Sequence, residues 1–124
     1  MNLPLKVLIA EDNLLNQKII SILIQRLGWS YSIVDNGRKA VDECKSNTYD
    51  VVLMDIDMPE MNGWDATIEI KKDNPNIPVI ALTAYSEEMF KERSFAVGMD
   101  YFLAKPYNQN EIKNTILKSL EKTA

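Results

Sequence analysis

The sequence predicts a doubly wound α/β fold, a parallel sheet covered by helices on both faces. Three observations predict it. Short apolar runs recur at Leu5–Ala10, Tyr31–Val34, Val51–Met54, Pro78–Leu82 and Tyr101–Leu103. Near-continuous Val/Ile/Leu runs of this kind mark strands buried on both faces. Segments of helical period separate the runs, and a strand–helix alternation calls for right-handed crossovers onto one sheet. At 124 residues the chain has the length of one domain, spanning 1–124, with a single core and no low-complexity linker.

The first strand, Leu5-Lys-Val-Leu-Ile-Ala10, leads into a helix on which Leu15, Ile19, Ile22, Leu23 and Leu27 repeat at helical spacing. Asn13 is its candidate N-cap and Gly28 its stop. After Tyr31–Val34, Ala40, Val41 and Cys44 suggest a second, weaker helix with Cys44 on its inner side. Val51–Met54 ends in Asp55-Ile-Asp57, and residues Asp65–Lys72 read as a short helix broken by Asn74-Pro75. Pro78–Leu82 precedes a helix expected to be capped at Ser86, with acids in its first turn and Gly98 at its end. Tyr101–Leu103 is the last strand. Ile112, Ile116 and Leu120 then repeat behind Asn108 and Glu111, a candidate capping box.

Composition excludes several functions. A net charge of -4 with scattered Lys and Arg is no nucleic-acid footprint. The chain has no histidine, which rules out a Ser-His-Asp triad, a His-ligated zinc or a histidine base. The single Cys44 allows no internal disulfide and suits a reducing compartment, with a packing role. No apolar run approaches the ~20 residues of a membrane span, and no signal-peptide pattern is present, so a cytoplasmic location without direct membrane contact is expected.

In open α/β sheets ligands sit beyond the carboxyl ends of the strands. Those ends carry Glu11 and Asp12, then Asp55, Thr83 and Lys105. Each alone reads as an ordinary loop residue. Together they put two or three carboxylates, a hydroxyl and an ammonium on one rim. Carboxylates so close raise one another's proton affinity unless neutralised, and a hard divalent cation neutralises them. Mg²⁺ takes oxygen ligands at ~2.1 Å and keeps waters that a phosphate can replace. Such a rim suits moving a phosphoryl group onto or off a carboxylate, a reaction needing mainly positioning and charge neutralisation.

Four stretches resemble the response-regulator receiver domain of two-component signalling. They are Val-Leu-Ile-Ala-Glu11-Asp12-Asn, Val-Val-Leu-Met-Asp55-Ile-Asp-Met-Pro59-Glu-Met-Asn-Gly63, Ile-Ala-Leu-Thr83-Ala84 and Lys105-Pro106. The resemblance spans nearly the whole chain and implies a (βα)5 flavodoxin-like sandwich with strand order 2-1-3-4-5. It implies Asp55 as phosphoacceptor from a phosphohistidine on a histidine kinase or phosphotransfer protein. Mg²⁺, with Mn²⁺ as an alternative, would be held by Asp12, Asp55 and the backbone carbonyl of Asp57, and by Glu11 through water. Thr83 and Lys105 would bind the phosphoryl oxygens, and Lys105-Pro106 would be a cis peptide. Phe102 stands where the family usually has a switching tyrosine, so only packing could make it a switch. A core strand role fits it equally, with Tyr101 on the other face.

Asp57 and Tyr85, two residues past Asp55 and Thr83, are expected to tune acyl-phosphate hydrolysis. Asn13-Leu-Leu-Asn16-Gln17 and Met54-Asp-Ile-Asp-Met-Pro-Glu-Met resemble receivers of hybrid histidine kinases. The expectation is a stand-alone regulator or one module of a larger sensor, monomeric or weakly dimeric, signalling rather than turning over substrate. A rival reading is a small haloacid-dehalogenase-type phosphatase with Asp55 as nucleophile and Asp57 as acid. In an extended segment their side chains would share a face about 6.5–7 Å apart. A flavin module is disfavoured by the acidic Glu11-Asp12, which would repel a phosphate.

Overall fold

A computed structural model describes residues 4–84 and 88–123. Five strands alternate with five helices: β1 (Lys6–Ala10), α1 (Leu14–Arg26), β2 (Ser30–Val34), α2 (Gly37–Ser46) and β3 (Val51–Asp55) come first. They are followed by α3 (Gly63–Asp73), β4 (Val79–Thr83), α4 (Glu88–Ala96), β5 (Tyr101–Ala104) and α5 (Gln109–Thr123). All pairings are parallel and the strand order is β2-β1-β3-β4-β5, as expected.

The sheet separates two apolar layers. Leu8, Val52, Met54, Val79 and Ala81 face α2 and α3 residues such as Ala40, Val41, Ala66 and Ile70. Val7, Ile9, Val51, Leu53, Ile80 and Leu82 face Ile20 and Ile24 of α1 and Ile112 and Ile116 of α5. β3 and β4 are buried throughout, which explains their unbroken Val/Ile/Leu runs; β2, at the sheet edge, is only half-buried.

Two sequence expectations shift. On α1 the buried positions are Ile20, Ser21 and Ile24, whereas Leu15, Ile19 and Ile22 are exposed. This helix is apolar on more than one side, so periodicity alone offers two stripes, and the sheet accepts the one carrying Ile20 and Ile24. Helix α3 starts earlier than Asp65, because Asn62 caps it by accepting a hydrogen bond from the Asp65 N–H at 2.9 Å. The Ser86 cap lies outside the described residues. The Asn108–Glu111 box forms as expected: the Glu111 N–H donates to Asn108 Oδ1 at 2.9 Å, and the Asn108 N–H donates to Glu111 Oε1 at 3.2 Å. Among the described residues no helix is long and apolar enough to cross a membrane.

Candidate functional site

The carboxyl ends of β1 and β3 are neighbours in the sheet, with Ala10 opposite Met54. The next residues therefore meet. Glu11 is fully buried and held by its N–H on the Val34 carbonyl at 3.0 Å; Asp55 is 7% exposed. Asp12 is exposed on the rim. One carboxylate oxygen from each of Glu11, Asp12 and Asp55 lies within 4.8 Å of the others. The loop after β5 brings in Lys105, whose ammonium donates to Glu11 Oε1 at 2.8 Å and Asp55 Oδ2 at 3.2 Å. Lys105 is itself held by its N–H on the Thr83 carbonyl at 2.8 Å, and the Lys105–Pro106 peptide is cis, as the resemblance implies.

Three clustered acids, two of them buried, against one ammonium leave an excess of negative charge, and the proton affinities register it. Burial pushes the Asp55 carboxyl up to about 7; neighbouring Glu11 adds to this and Lys105 opposes it. Burial acts on Glu11 in the same sense, but hydrogen bonds from Lys105, Asp55 and the Asn13 N–H hold it below the ordinary glutamate range. Desolvation and then Glu11 raise Asp12. Lys105 is raised despite its burial, because Glu11 and Asp55 favour its charge. The Asp55 carboxyl therefore binds a proton more readily than an ordinary aspartate, up to about pH 7. A hard cation at the same oxygens would displace that proton, so the donor set fits Mg²⁺.

The loop after β3 separates the two aspartates. β3 ends at Asp55, and the chain bends so that Asp57 is exposed while its N–H donates to Asp55 Oδ1 at 3.3 Å. The extended, shared-face geometry considered for an acid pair is absent. Thr83, at the end of β4, is buried, one residue past the Leu82 that pairs with Asp55. Phe102 is half-buried against the α2–α3 layer with the Lys91 ammonium 5.5 Å from its ring centroid, whereas Tyr101 packs on the opposite layer. Tyr85 lies outside the described residues. Cys44 is half-buried, and burial pushes its thiol up to about 11, which makes it an inert packing residue.

Three supporting residues escape sequence reasoning. Gly63 donates its N–H to the Ile56 carbonyl at 2.8 Å, and a Cβ there would overlap the Asp55 carbonyl oxygen. The Asn62-Gly63 pair before a helical pattern was the available signal. Gln17 reaches back from α1 to the Glu11 carbonyl, and Trp64 reaches across to α4. Neither contact has a local sequence signature.

A buried carboxylate flanked by two acids and a lysine, at the carboxyl end of a central parallel strand, defines an acidic phosphoryl-handling centre. The sequence profile of the response regulator receiver domain matches residues 7–117. The chain is 39% identical over 132 residues to hybrid signal transduction histidine kinase I of Dictyostelium discoideum, a match covering 96% of this chain. It is 34% identical over 118 residues to the signal transduction histidine-protein kinase BarA of Escherichia coli, covering 94% of this chain. It spans only 8% and 13% of those proteins' lengths.

Among solved structures it superposes with a TM-score of 0.90 and 31% identity on the receiver domain of a Pseudomonas aeruginosa sensor histidine kinase, covering 96% of this chain and 99% of that one. That structure has a magnesium ion coordinated in its active-site cleft. The chemotaxis protein CheY4 of Vibrio cholerae gives a TM-score of 0.89 at 25% identity, covering 95% of this chain and all of that one. The chain belongs to the response regulator receiver domain family. Its function is that of the family, a phosphoacceptor in two-component phosphorelays. The comparisons lend no support to a haloacid-dehalogenase phosphatase.

Proposed function

We propose that Asp55 is the phosphoacceptor and that residues 1–124 act as one receiver module, signalling by its own modification rather than by turnover of a substrate. The observation that carries this is the buried Asp55 carboxylate held among Glu11, Asp12 and Lys105. Asp12, Asp55, the Asp57 carbonyl and, through water, Glu11 would hold Mg²⁺ (or Mn²⁺). The bound ion supplies charge neutralisation that keeps Asp55 ionised near neutral pH.

An ionised Asp55 oxygen attacks phosphorus while the P–N bond to a partner's imidazole breaks, and the imidazole leaves with the bonding pair. Lys105, already bridging Glu11 and Asp55, pairs with a phosphoryl oxygen. The Thr83 hydroxyl, at the adjacent strand end, donates to another. The new charge biases a two-state equilibrium of the face formed by α4, β5 and α5. Phe102, wedged between the core and Lys91, follows that shift by packing alone. Asp57 and Tyr85 set access of water and so the acyl-phosphate lifetime.

The donor is a histidine kinase or phosphotransfer protein carrying phosphohistidine. Leu14 and Leu15, 79% and 67% exposed in the first turn after Asp12, offer such a partner an apolar landing beside the carboxylates. The relatives' character supports a cytoplasmic setting, either alone or within a larger sensor. Intact mass after incubation with a small acyl-phosphate donor and Mg²⁺ tests the proposal. One added phosphoryl group, lost on chelation and in Asp55→Asn, is expected. A folded protein that gains none overturns the assignment.

A further inference from the structure

Of the three clustered acids Asp12 alone is exposed, and packing does not hold its side chain as it holds Glu11 and Asp55. Its aim depends on the peptide that joins it to Glu11, where the chain leaves β1 and turns towards α1. Three hydrogen bonds tie this turn to the first turn of the helix. The Asn16 N–H donates to Asn13 Oδ1 at 2.9 Å, and the Gln17 N–H donates to the Asn13 carbonyl at 2.9 Å. Both act on Asn13.

The third acts on the acidic pair itself: Gln17 Nε2 donates to the Glu11 carbonyl oxygen at 2.7 Å. That oxygen belongs to the Glu11–Asp12 peptide, so the bond sets the plane of the peptide from which the Asp12 Cα departs. On the other side Glu11 is anchored by the Val34 carbonyl and by Lys105. A glutamine suits the task because an amide donates without bringing charge to a site crowded with carboxylates.

We propose that Gln17 is a positioning residue that aims the Asp12 carboxylate by holding the Glu11–Asp12 peptide, and thereby sets the affinity of the site for Mg²⁺. This rests on the metal reading above. Supporting groups behind metal ligands commonly govern affinity by 10- to 100-fold, through orientation rather than contact.

The test is Gln17→Met in the full chain, which keeps length and helix propensity and deletes the donor. Calorimetric titration with Mg²⁺ alone should show binding weakened about tenfold. The Mg²⁺ concentration that half-saturates acyl-phosphate labelling of Asp55 should rise by the same factor, with the plateau rate retained. An unchanged Mg²⁺ affinity overturns the inference, whether the metal-free melting temperature holds or falls, because the bond would then serve the helix alone. Wild-type protein that binds no Mg²⁺ overturns the metal site and this inference together. Wild-type protein that binds Mg²⁺ but takes no label overturns the phosphoacceptor reading, while calorimetry still decides on Gln17.

Discussion

Asp55 is destabilising in the metal-free fold, and the sign of its effect on stability follows from its proton affinity. Its folded value is raised to about 7 from 3.8, chiefly by burial, so the folded state holds a proton that the unfolded chain releases. The associated stability is complete below the unfolded value and is lost as pH rises through about 7. Asp55→Asn removes this loss. The variant, compared with wild type in metal-free buffer, should gain on the order of 2 kcal/mol between about pH 5 and about pH 8. Chemical denaturation at both pH values checks it, and a pH-independent difference would sink it. Glu11, held below its ordinary range, acts in a separate, more acidic window, where its contribution disappears as pH falls.

At this scale Glu11, Asp12, Asp55, Thr83 and Lys105 were legible because reactive residue types follow apolar strands, and strand ends converge by topology. Asp57 was ambiguous until the bend after Asp55 removed it from the shared face. Gln17 was not legible, since a side chain bonding to a backbone carbonyl six residues back depends on where the helix begins.

Among the elements, the loop between β3 and α3 is the most tightly built, and its geometry explains the glycine in Met61-Asn62-Gly63. The Asp55 carbonyl leaves no room for a Cβ on Gly63, and the Gly37 N–H clamps the loop from outside by donating to the Met61 carbonyl at 2.9 Å. Gly63→Ala should cost about 1–3 kcal/mol, the usual penalty of overpacking, and shift the end of β3 that presents Asp55. Phosphorylation by a small donor should slow in parallel with the loss of stability. A variant as stable as wild type would refute this account of the turn.

Helix α4 is the least anchored, with Ser94 its one buried residue among those described. Trp64 of α3 clasps it. The indole N–H donates to Ser94 Oγ at 2.9 Å, the Trp64 and Phe90 rings lie 5.6 Å apart, and the Arg93 guanidinium sits 4.4 Å over the indole. These contacts together are worth roughly 2 kcal/mol. Trp64→Leu should therefore speed exchange of α4 amide hydrogens about 30-fold while the amides of β1 and β3 stay protected. Equal protection of α4 in variant and wild type would show that another contact holds it. Element order and type were legible from apolar runs and helical spacing. The buried face of α1 was not, because Leu15, Ile19 and Ile22 form a stripe as regular as that of Ile20 and Ile24. The start of α3 was also hidden, since Asn62 reads as loop until its side-chain Oδ1 is seen accepting from the Asp65 N–H.

For the whole molecule, the sheet order concentrates charge where the core cannot dilute it. Placing β1 next to β3 sets Glu11 against Asp55, with apolar layers above and below and a single ammonium between them. The fold therefore stores an electrostatic cost at one pole, which a ligand of opposite charge relieves, and folding and cation binding become linked. A ligand that binds only the folded state adds stability as RT ln(1 + [L]/Kd), about 1.4 kcal/mol at a tenfold excess over Kd.

A tenfold excess of Mg²⁺ over its Kd should accordingly stabilise the fold near pH 8 by this amount and raise the unfolding midpoint, whereas NaCl of equal ionic strength should not. Near pH 5 the Asp55 proton competes for the same oxygens, and the Mg²⁺ effect should shrink. Asp12→Asn and Asp55→Asn should each abolish most of it near pH 8. Asp57→Asn should preserve it, because only the backbone carbonyl at that position is assigned to the ion and its side chain is exposed. Thermal melts across the two pH values, with and without Mg²⁺, decide the matter. Stabilisation that survives in Asp55→Asn, or that NaCl reproduces, would place the cation elsewhere on this acidic chain and break the link between its folding and its phosphoacceptor pole.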